Sequence, residues 1–482
     1  MLVFLVFISS LFQTQEQTPA VSPAPAQSVQ PLDTLAERTL RINRIIILGT
    51  RITRDRILLR EMSLKPGDTI SSLRLDNVLV RDRAKIYNLR LFNTVVVRWM
   101  EYDPAAGLID IIIEVKERWY IFPAPIFELS DRNFNEWWQN YDHDWKRVNV
   151  GLRLYETNFR GANEKIRLTT QFGFTRKFYL TYTIPNIGKT QKHGLIFDLG
   201  YDEPKNLAYF TDDHKLDYQQ GRVTLKKQSY GSVTYSYRKN FYEVHSFQLE
   251  YNRTNIADTI ARLNPNYFKE GSTTQRLASI AYSFNSEHRD VIAYPMKGYQ
   301  YTFYAQKTGL GLGLDVNLWE LNSTFAKHMD LGKGFNLANF SSLYLSAPTN
   351  QPYSMYGALG YRRQFIRGYE IYVIEGPQFF LNKTTLKKKI FSRAWTIEDM
   401  PLEQFSYVPI ALYLKAYFDW GYVNNYTRYD ELGINTRLSN RFLGGAGMGI
   451  DLVTMYDNVF RFEYTFTREG THGFFFNIKK EF

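Results

Sequence analysis

Cysteine is absent from the 482 residues of this chain. Its absence excludes disulfide frameworks, cysteine-ligated zinc, iron–sulfur clusters and thiol catalysis, and it is typical of proteins that work in an oxidising compartment. The sequence also lacks any run of 18 or more apolar residues, which excludes a membrane-spanning helix. Apolar residues nevertheless make up 44% of the chain and charged residues 22%, so the chain is not intrinsically disordered.

Signals of catalysis, metal binding and nucleic-acid binding are lacking as well. The seven histidines show no metal-ligand spacing, and the glycine-rich Gly444–Gly449 opens no helix that would cradle a phosphate. The formal net charge is +11, but the basic residues are spread along the chain and form no stripe. We therefore predict no enzymatic activity, no catalytic or metal-binding residues, no cofactor and no nucleic-acid partner.

Aromatic residues, by contrast, are abundant: 35 tyrosines, 35 phenylalanines and 8 tryptophans make up 16% of the chain. Between residues 118 and 482 they often recur at every second position, as in Phe460–Thr467, with Arg, Glu, Asn, Ser or Thr between them. A period of two predicts strands with one apolar and one polar face. This density of Tyr and Phe is typical of the aromatic girdles of a transmembrane β-barrel with a wet interior. At about 9–11 residues per strand, 14–18 strands fit.

Two long polar stretches, Thr349–Arg363 and Phe380–Glu403, are predicted to be extracellular loops. The second contains three consecutive lysines, Lys387–Lys389. They fit either a solvated loop or contact with anionic lipid headgroups, and the solvated loop is the favoured interpretation.

The N-terminal region separates into a leader and a small domain. Residues 1–12 are apolar and residues 13–37 are rich in Gln, Pro, Ala, Ser and Thr, which predicts a signal peptide and flexible linker over 1–37. Residues 40–117 predict a small α+β domain of order β-α-α-β-β. Its second helix is expected to bury a face that is spaced at helical intervals: Leu73, Val80, Ala84 and Leu89.

The element order of residues 40–117 and the segment Tyr87–Val97 resemble a polypeptide-transport-associated (POTRA) domain. A three-stranded sheet with one helical face leaves an edge strand that accepts an extended peptide by strand addition. The alternative is a rigid spacer that makes no contact with a client polypeptide.

A second resemblance lies in the barrel region and involves two motifs. The segment Phe365-Ile366-Arg367-Gly368-Tyr369 resembles the lid-loop motif of the BamA/TamA outer-membrane assembly family. In that family the loop folds back into the barrel lumen, and its arginine contacts an acidic residue of a "Phe-x-Asp-x-Gly" segment on the wall. Here the corresponding segment carries Tyr417, Asp419 and Gly421, with tyrosine in place of phenylalanine. The resemblance thus implies a pair between Arg367 and Asp419, and a barrel of about 16 antiparallel strands over residues 118–482.

Three further residues are assigned to a seam between the first and last strands of the barrel. Pro123 and Pro125 lie in the expected first strand, where they cannot donate backbone hydrogen bonds. The terminal Phe482 resembles the signal by which the assembly machinery recognises barrels. A weak seam is expected to open laterally and to template an incoming strand.

The resemblance implies an outer-membrane assembly factor with its POTRA domain in the periplasm. It would receive unfolded outer-membrane or secreted polypeptides through this domain and insert or translocate them through the barrel seam. Outer-membrane lipid and accessory periplasmic proteins are the other expected partners. The alternatives are a two-partner-secretion pore, a passive porin and an outer-membrane hydrolase. The sequence leaves the client and the accessory subunits open.

Overall fold

A computed structural model of the chain describes residues 38–129, 145, 148–221, 223–311, 316–360, 364–397 and 400–478. The predicted signal peptide and linker (1–37) and Phe482 lie outside the described residues. Within the described part, no helix is both long enough and apolar enough to cross a membrane.

The N-terminal module, residues 39–117, is a four-stranded sheet covered by helices on one face. Its elements in chain order are β1 Thr39–Leu48, α1 Asp55–Leu59, β2 Thr69–Ser71, α2 Ser72–Asn88, β3 Phe92–Asp103 and β4 Leu108–Glu117. The sheet order is β2-β1-β4-β3, with β1 parallel to β4 and β3 at one edge. The predicted order therefore holds with one addition, the three-residue strand β2, which makes a fourth strand in the sheet.

The predicted buried face of α2 is wrong. Leu73 and Val80 are 58% and 64% exposed, whereas Leu75, Leu79 and Ile86 are buried against the sheet. Both sets of residues lie at helical spacing, so periodicity alone does not choose between the two faces. The buried face also holds Asp82. Its carboxylate accepts hydrogen bonds from the backbone N–H and the hydroxyl of Ser63 at 2.8 and 2.7 Å.

The remaining chain forms an antiparallel sheet of 16 strands, which confirms the predicted barrel and its strand number. Successive strands of this sheet are neighbours, and within the described residues two short two-stranded sheets stand apart from it. The strands in the sheet are β5 Ile121–Leu129, β6 Val148–Phe159, β7 Glu164–Gly173, β8 Arg176–Ile187, β9 His193–Glu203, β12 Lys226–Arg238, β13 Glu243–Ile256, β14 Thr274–Glu287, β15 Gly298–Thr308, β16 Leu318–Gly332, β17 Phe335–Ala347, β20 Gln378–Thr396, β21 Tyr407–Asn424, β22 Phe442–Thr454, β23 Asn458–Thr467 and β24 His472–Ile478.

The predicted loop Phe380–Glu403 is wrong, because the 19-residue strand β20, Gln378–Thr396, runs through most of this region. Its odd-numbered residues Lys383, Thr385 and Lys387 are buried and face the bore, while Leu386 faces outward and is 41% exposed. A water-accessible bore accepts lysine and threonine, so a bore-facing strand has the polar composition of a loop.

The barrel end distant from the N-terminal module, the far end, is capped by short elements and a group of tyrosines. The cap elements are β10 Asn206–Asp212, β11 Lys215–Gln220, α3 Asp258–Leu263, β18 Ala358–Leu359, β19 Ile374–Glu375 and α4 Thr427–Leu432. Tyr356 stacks on Tyr426 with ring centroids 3.8 Å apart, and Tyr429 meets Tyr356 edge-on at 5.5 Å. The described part of the predicted loop, residues 349–360, lies in this cap and carries β18, while residues 361–363 lie outside the described residues.

Candidate functional site in the barrel bore

The connection between β17 and β20, here called the lid, carries Arg367 into the bore. The guanidinium and the backbone N–H of Arg367 both bind Asp419 on β21: Nε donates to Oδ2 at 2.8 Å, one terminal nitrogen donates to Oδ1 at 2.5 Å, and the amide donates to Oδ2 at 3.1 Å. The other terminal nitrogen lies 3.3 Å from Glu463, and Thr385 accepts a bond at 3.0 Å. The sequence-predicted pair is thus brought together, and its bidentate geometry is the strong form of a charged hydrogen bond.

Tyr417 lies directly beneath the guanidinium, whose central carbon is 3.8 Å from the ring centroid. Its hydroxyl also shares a hydrogen bond of 2.6 Å with Thr465 on β23. Phenylalanine would supply the ring face but not this bond. The tyrosine at the family's phenylalanine position therefore ties two wall strands together as well as stacking on the arginine.

Three glycines make room for the lid. Gly368 has φ +94°, and a Cβ there would lie 2.5 Å from the Thr467 methyl group. A Cβ on Gly421 would lie 2.9 Å from the Ile366 side chain, and one on Gly445 would lie 2.0 Å from the carbonyl oxygen of Arg367. A real Cβ does not approach this closely, so the wall at 421 and 445 has to be bare for the lid to seat.

The other motif side chains fix the lid on both sides of the arginine. Ile366 is 1% exposed and packs in an apolar cluster with Leu381 and Leu443. Phe365 receives the ammonium of Lys383 over its ring at 4.2 Å. The hydroxyl of Tyr369 donates to Glu469 in the β23–β24 turn and lies 3.4 Å from the carbonyl oxygen of Gly444 on β22. All five motif residues therefore contact the wall strands.

Arg367 belongs to a wider charge network, defined as Arg367, Lys415, Asp419, Asp451, Arg461 and Glu463. Lys415 lies 2.8 Å from Glu463 and 2.6 Å from Asp451, and Arg461 lies 3.2 Å from Asp451. These side chains are at most 11% exposed. Sequence reasoning missed the network beyond the first pair. The alternating pattern put Glu463 and Arg461 on a polar face but did not say which strand they meet.

The turn between β14 and β15, residues 288–297, approaches the same network from the module end. The hydroxyl of Tyr294 donates to Asp451 Oδ2 at 3.1 Å, and Lys387 lies 4.4 Å from the Tyr294 ring centroid. Outside the bore, the turn binds α2: Asn88 donates to the Asp290 carbonyl at 3.0 Å and accepts from the amide of residue 292 at 3.2 Å. The turn therefore links the N-terminal module to the wall of the bore.

The module also binds several other turns at this end of the barrel. Glu61 is 1% exposed and accepts two hydrogen bonds of 2.6 Å from Arg238 on β12. A terminal nitrogen of Arg60 lies 2.9 Å from the same carboxylate. Burial opposes ionisation of Glu61, but the bonds and charges of the two arginines outweigh it and hold its pKa below the ordinary value. Asn93 on β3 donates to the Gln404 carbonyl at 2.6 Å. The module therefore lies across the mouth of the barrel.

The predicted seam residues Pro123 and Pro125 lie in β5, at one edge of the 16-stranded sheet. The amide of Thr157 on β6 donates to the Tyr120 carbonyl at 3.0 Å. Backbone groups point alternately to the two sides of a strand, so those of Pro123 and Pro125 point away from β6, towards the open edge. Within the described residues, β5 and β24 share no ladder pairing.

Comparisons with known proteins place the chain in a family. The Omp85 superfamily domain matches residues 158–482, and a POTRA domain of the surface antigen variable number repeat type matches residues 40–118. The chain belongs to the Omp85 superfamily. Its β-barrel and its N-terminal POTRA domain are the parts of the chain that these two family models match.

The chain is also similar to individual proteins. The chain is 38% identical over 79 residues to an outer membrane protein assembly factor of Treponema pallidum, a match that covers 16% of this chain and only 9% of that protein. CdiB from Escherichia coli shares the fold with a TM-score of 0.53 at 11% identity, covering 92% of this chain and 74% of CdiB. BamA from Haemophilus ducreyi lacking POTRA domains 1–3 gives 0.49 at 14% identity, covering 92% and 83%. The structural likenesses concern the fold alone.

Proposed function

We propose that this chain inserts or translocates unfolded polypeptides at the outer membrane, and that the client passes through the seam between β5 and β24. The observation that carries the proposal is the open edge of the sheet, where the described residues of the two terminal strands form no ladder. A strand with unpaired backbone groups is a template for an incoming strand.

Proline makes the β5 edge a poor partner for a permanent closure. With no N–H at Pro123 and Pro125, two donors are missing on the side that faces β24. The indole N–H of Trp119 also donates to the carbonyl of Ile121, a group on the same edge. A client strand that displaces the seam therefore competes against few backbone hydrogen bonds.

The closed ends of the bore support a lateral route. The lid and the tyrosine cap fill the far end, while the POTRA domain and the 288–297 turn cover the near end. Between them, a cavity of about 1040 Å³ remains, lined mainly by polar residues such as Gln248, Gln275 and Gln306. A passive porin needs a continuous axial path, which these elements obstruct.

The POTRA domain is proposed to face the periplasm and to receive the client. Its strand β3 lies at the edge of the sheet, the position at which strand addition takes place. The proposed partners are unfolded outer-membrane or secreted polypeptides, outer-membrane lipid and accessory periplasmic proteins. We propose that the reaction uses no cofactor and no catalytic residue, since it exchanges backbone hydrogen bonds.

The test exploits the lack of cysteine in the chain. The double variant Phe127→Cys with Phe474→Cys places one thiol on each side of the seam, on residues 67% and 64% exposed, and a flexible bis-maleimide bridges them in vesicles. Bridging should reduce insertion of a urea-unfolded β-barrel client to the level of protein-free vesicles. The control bridges Ile450→Cys and Phe462→Cys, which are already partners in the β22–β23 ladder. Undiminished insertion with a bridged seam would contradict the proposal.

A further inference from the structure

A band of basic side chains lies on the outer surface of the barrel at the POTRA end, on β16, on β20 and in the turn between β16 and β17. It is called the basic rim and consists of Lys327, Lys333, Lys388 and Arg393. Three of these side chains are exposed and Lys388 is half-buried. The rim includes one of the three consecutive lysines of the sequence, whereas Lys387 faces the bore and Lys389, opposite Tyr413, lies on the same side of the strand as Lys387.

A β-bulge in β20 puts part of the rim on the outer face. Odd-numbered residues of this strand face the bore up to Lys387, but the register shifts between Lys389 and Phe391. Beyond the shift, Phe391 is opposite Leu412 and Arg393 is opposite Ile410, on the outward face of β21. A bulge of this kind re-aims the side chains that follow it.

Apolar side chains surround the basic groups on the same surface. Phe335, Leu386, Phe391 and Trp395 are between 38% and 42% exposed, and Ile390 is 56% exposed. This surface continues without interruption into the outward residues of the barrel wall. Basic heads beside exposed aromatic and aliphatic groups are typical of the boundary between acyl chains and headgroups.

Two of the cations are held over aromatic rings. The ammonium of Lys388 lies 4.0 Å from the Phe335 ring centroid and donates to the carbonyl of Lys333. The guanidinium of Arg393 lies 5.8 Å from the Trp395 ring centroid. Each ring holds its cation at the surface and leaves N–H donors for a ligand.

The positive charge of the rim is hardly compensated. Asp330 is the single acidic residue in segments 325–338 and 386–396 of the sequence. Its carboxylate lies 3.1 Å from the ammonium of Lys297 in the 288–297 turn. This carboxylate is therefore already shared with a cation outside the rim.

We propose that the basic rim binds the anionic headgroups of phospholipids in the membrane leaflet on the POTRA side. Only its assignment to the periplasmic leaflet rests on the proposed function. A soluble anion would use the cations but not the exposed Phe391 and Trp395, whereas a phospholipid contacts both. Basic residues near an anionic surface are each attracted to it, so several together give a lipid preference that can be measured.

The experiment compares two charge-matched variants of the full chain in vesicles that mix phosphatidylcholine and phosphatidylglycerol. The rim variant is Lys327→Gln, Lys388→Gln and Arg393→Gln. The control variant, Lys189→Gln, Lys192→Gln and Lys239→Gln, removes the same charge from exposed positions in other turns at this end of the barrel. Spin-labelled lipids report the preference for phosphatidylglycerol, and a heat-shift gel confirms that each barrel is folded.

The rim variant should lose at least about threefold of the preference, while the control variant should keep it. Adding inorganic phosphate at the concentration of the anionic lipid should leave the preference unchanged. An equal loss in both variants, or displacement by free phosphate, would overturn the proposal. If the rim variant does not fold, raising the salt concentration for the unaltered protein gives the answer, because a headgroup site must weaken as its charges are screened. No client polypeptide is present, so a failed insertion assay does not affect this result.

Discussion

At the scale of single residues, the environment of Arg367 decides what its ion pair is worth. The guanidinium is 6% exposed and Asp419 is fully buried. Separating two such charges leaves one of them without water and without a partner, which costs far more than breaking an exposed pair. The exposed pair of Arg437 and Asp213 at the far end provides a matched comparison at 2.7 Å.

Replacing Arg367 by alanine should lower the free energy of barrel unfolding by about 3–5 kcal/mol, because Asp419 remains as a buried, unpaired charge. Arg437→Ala should cost less than about 1 kcal/mol. Urea titration followed by heat-shift gels measures both. Equal losses in the two variants would mean that the bore is wet enough to solvate the carboxylate.

A glycine pair tests the fit between lid and wall. Gly445→Ala places a Cβ 2.0 Å from the Arg367 carbonyl, whereas a Cβ on Gly444 has no neighbour closer than 4.0 Å. Gly445→Ala should therefore destabilise the barrel by about 1–3 kcal/mol and make the lid accessible to protease, while Gly444→Ala should do neither. Limited proteolysis with mass mapping of residues 364–377 decides the matter. If the lid of Gly445→Ala stays protected from protease, the wall strand shifts to accommodate the methyl group and the predicted clash is wrong.

Single residues also mark the limit of sequence reasoning about the site. The pair of Arg367 and Asp419 was predictable because two separate motifs carry it. Lys415 and Asp451 were not, because they lie in strands whose register the sequence does not fix. Residues on neighbouring strands meet only once that register is set.

At the scale of elements, the docking of the N-terminal module depends strongly on the contact between the residues that follow α1 and the end of β12. Here Glu61 is held between two arginines, and its pKa lies below that of a free glutamate. A lowered carboxyl pKa means that the ion pair supports docking fully above the free value of about 4.3 and loses this contribution as the pH falls towards the bound value.

Acidification below the free glutamate value of about 4.3 should therefore progressively weaken docking of the module, and Glu61→Gln should weaken it already at pH 7. Hydrogen exchange in α1 and in the turn at residues 239–242 reports the weakening. Glu114→Gln serves as the control, since its pair with Arg98 is 3.7 Å long and more than half exposed. Unchanged protection in Glu61→Gln would assign docking to the other contacts.

The elements also show where composition misleads. The 19-residue strand β20 was taken for a loop because its bore-facing residues include lysine and threonine. The strand β2 was missed because it has only three residues. Strands that alternate Tyr or Phe with polar residues were predictable, since their outward face is apolar and the period of two is visible.

At the scale of the whole molecule, the two ends of the bore are closed by different parts of the chain. The lid and the tyrosine cap close one end, and the module with the 288–297 turn closes the other. The strand number was predictable from the length of the region and from the family resemblance. The closure of both ends was not, because it depends on how the loops fold back into the bore, and the hydrophobic periodicity of the sequence carries no information on loop conformation.

Because of the double closure, the unaltered protein should show only small, brief conductance steps in a planar bilayer. Arg367→Ala should raise the open probability several-fold by freeing the lid, and Arg437→Ala should not. Single-channel recording measures both variants at the same voltage. A large steady conductance of the unaltered protein would favour a passive pore.

Lys415 bridges the carboxylates of Asp451 and Glu463. Asp451 also binds Tyr294 of the 288–297 turn, which closes one end of the bore, and Glu463 binds Arg367 of the lid, which closes the other. If a ligand displaces the turn or the lid, one of these two carboxylates loses a partner, and the ammonium of Lys415 is free to shift towards it. Any coupling between the two mouths of the barrel through Lys415 is therefore reciprocal: what changes the charge balance at one mouth changes it at the other.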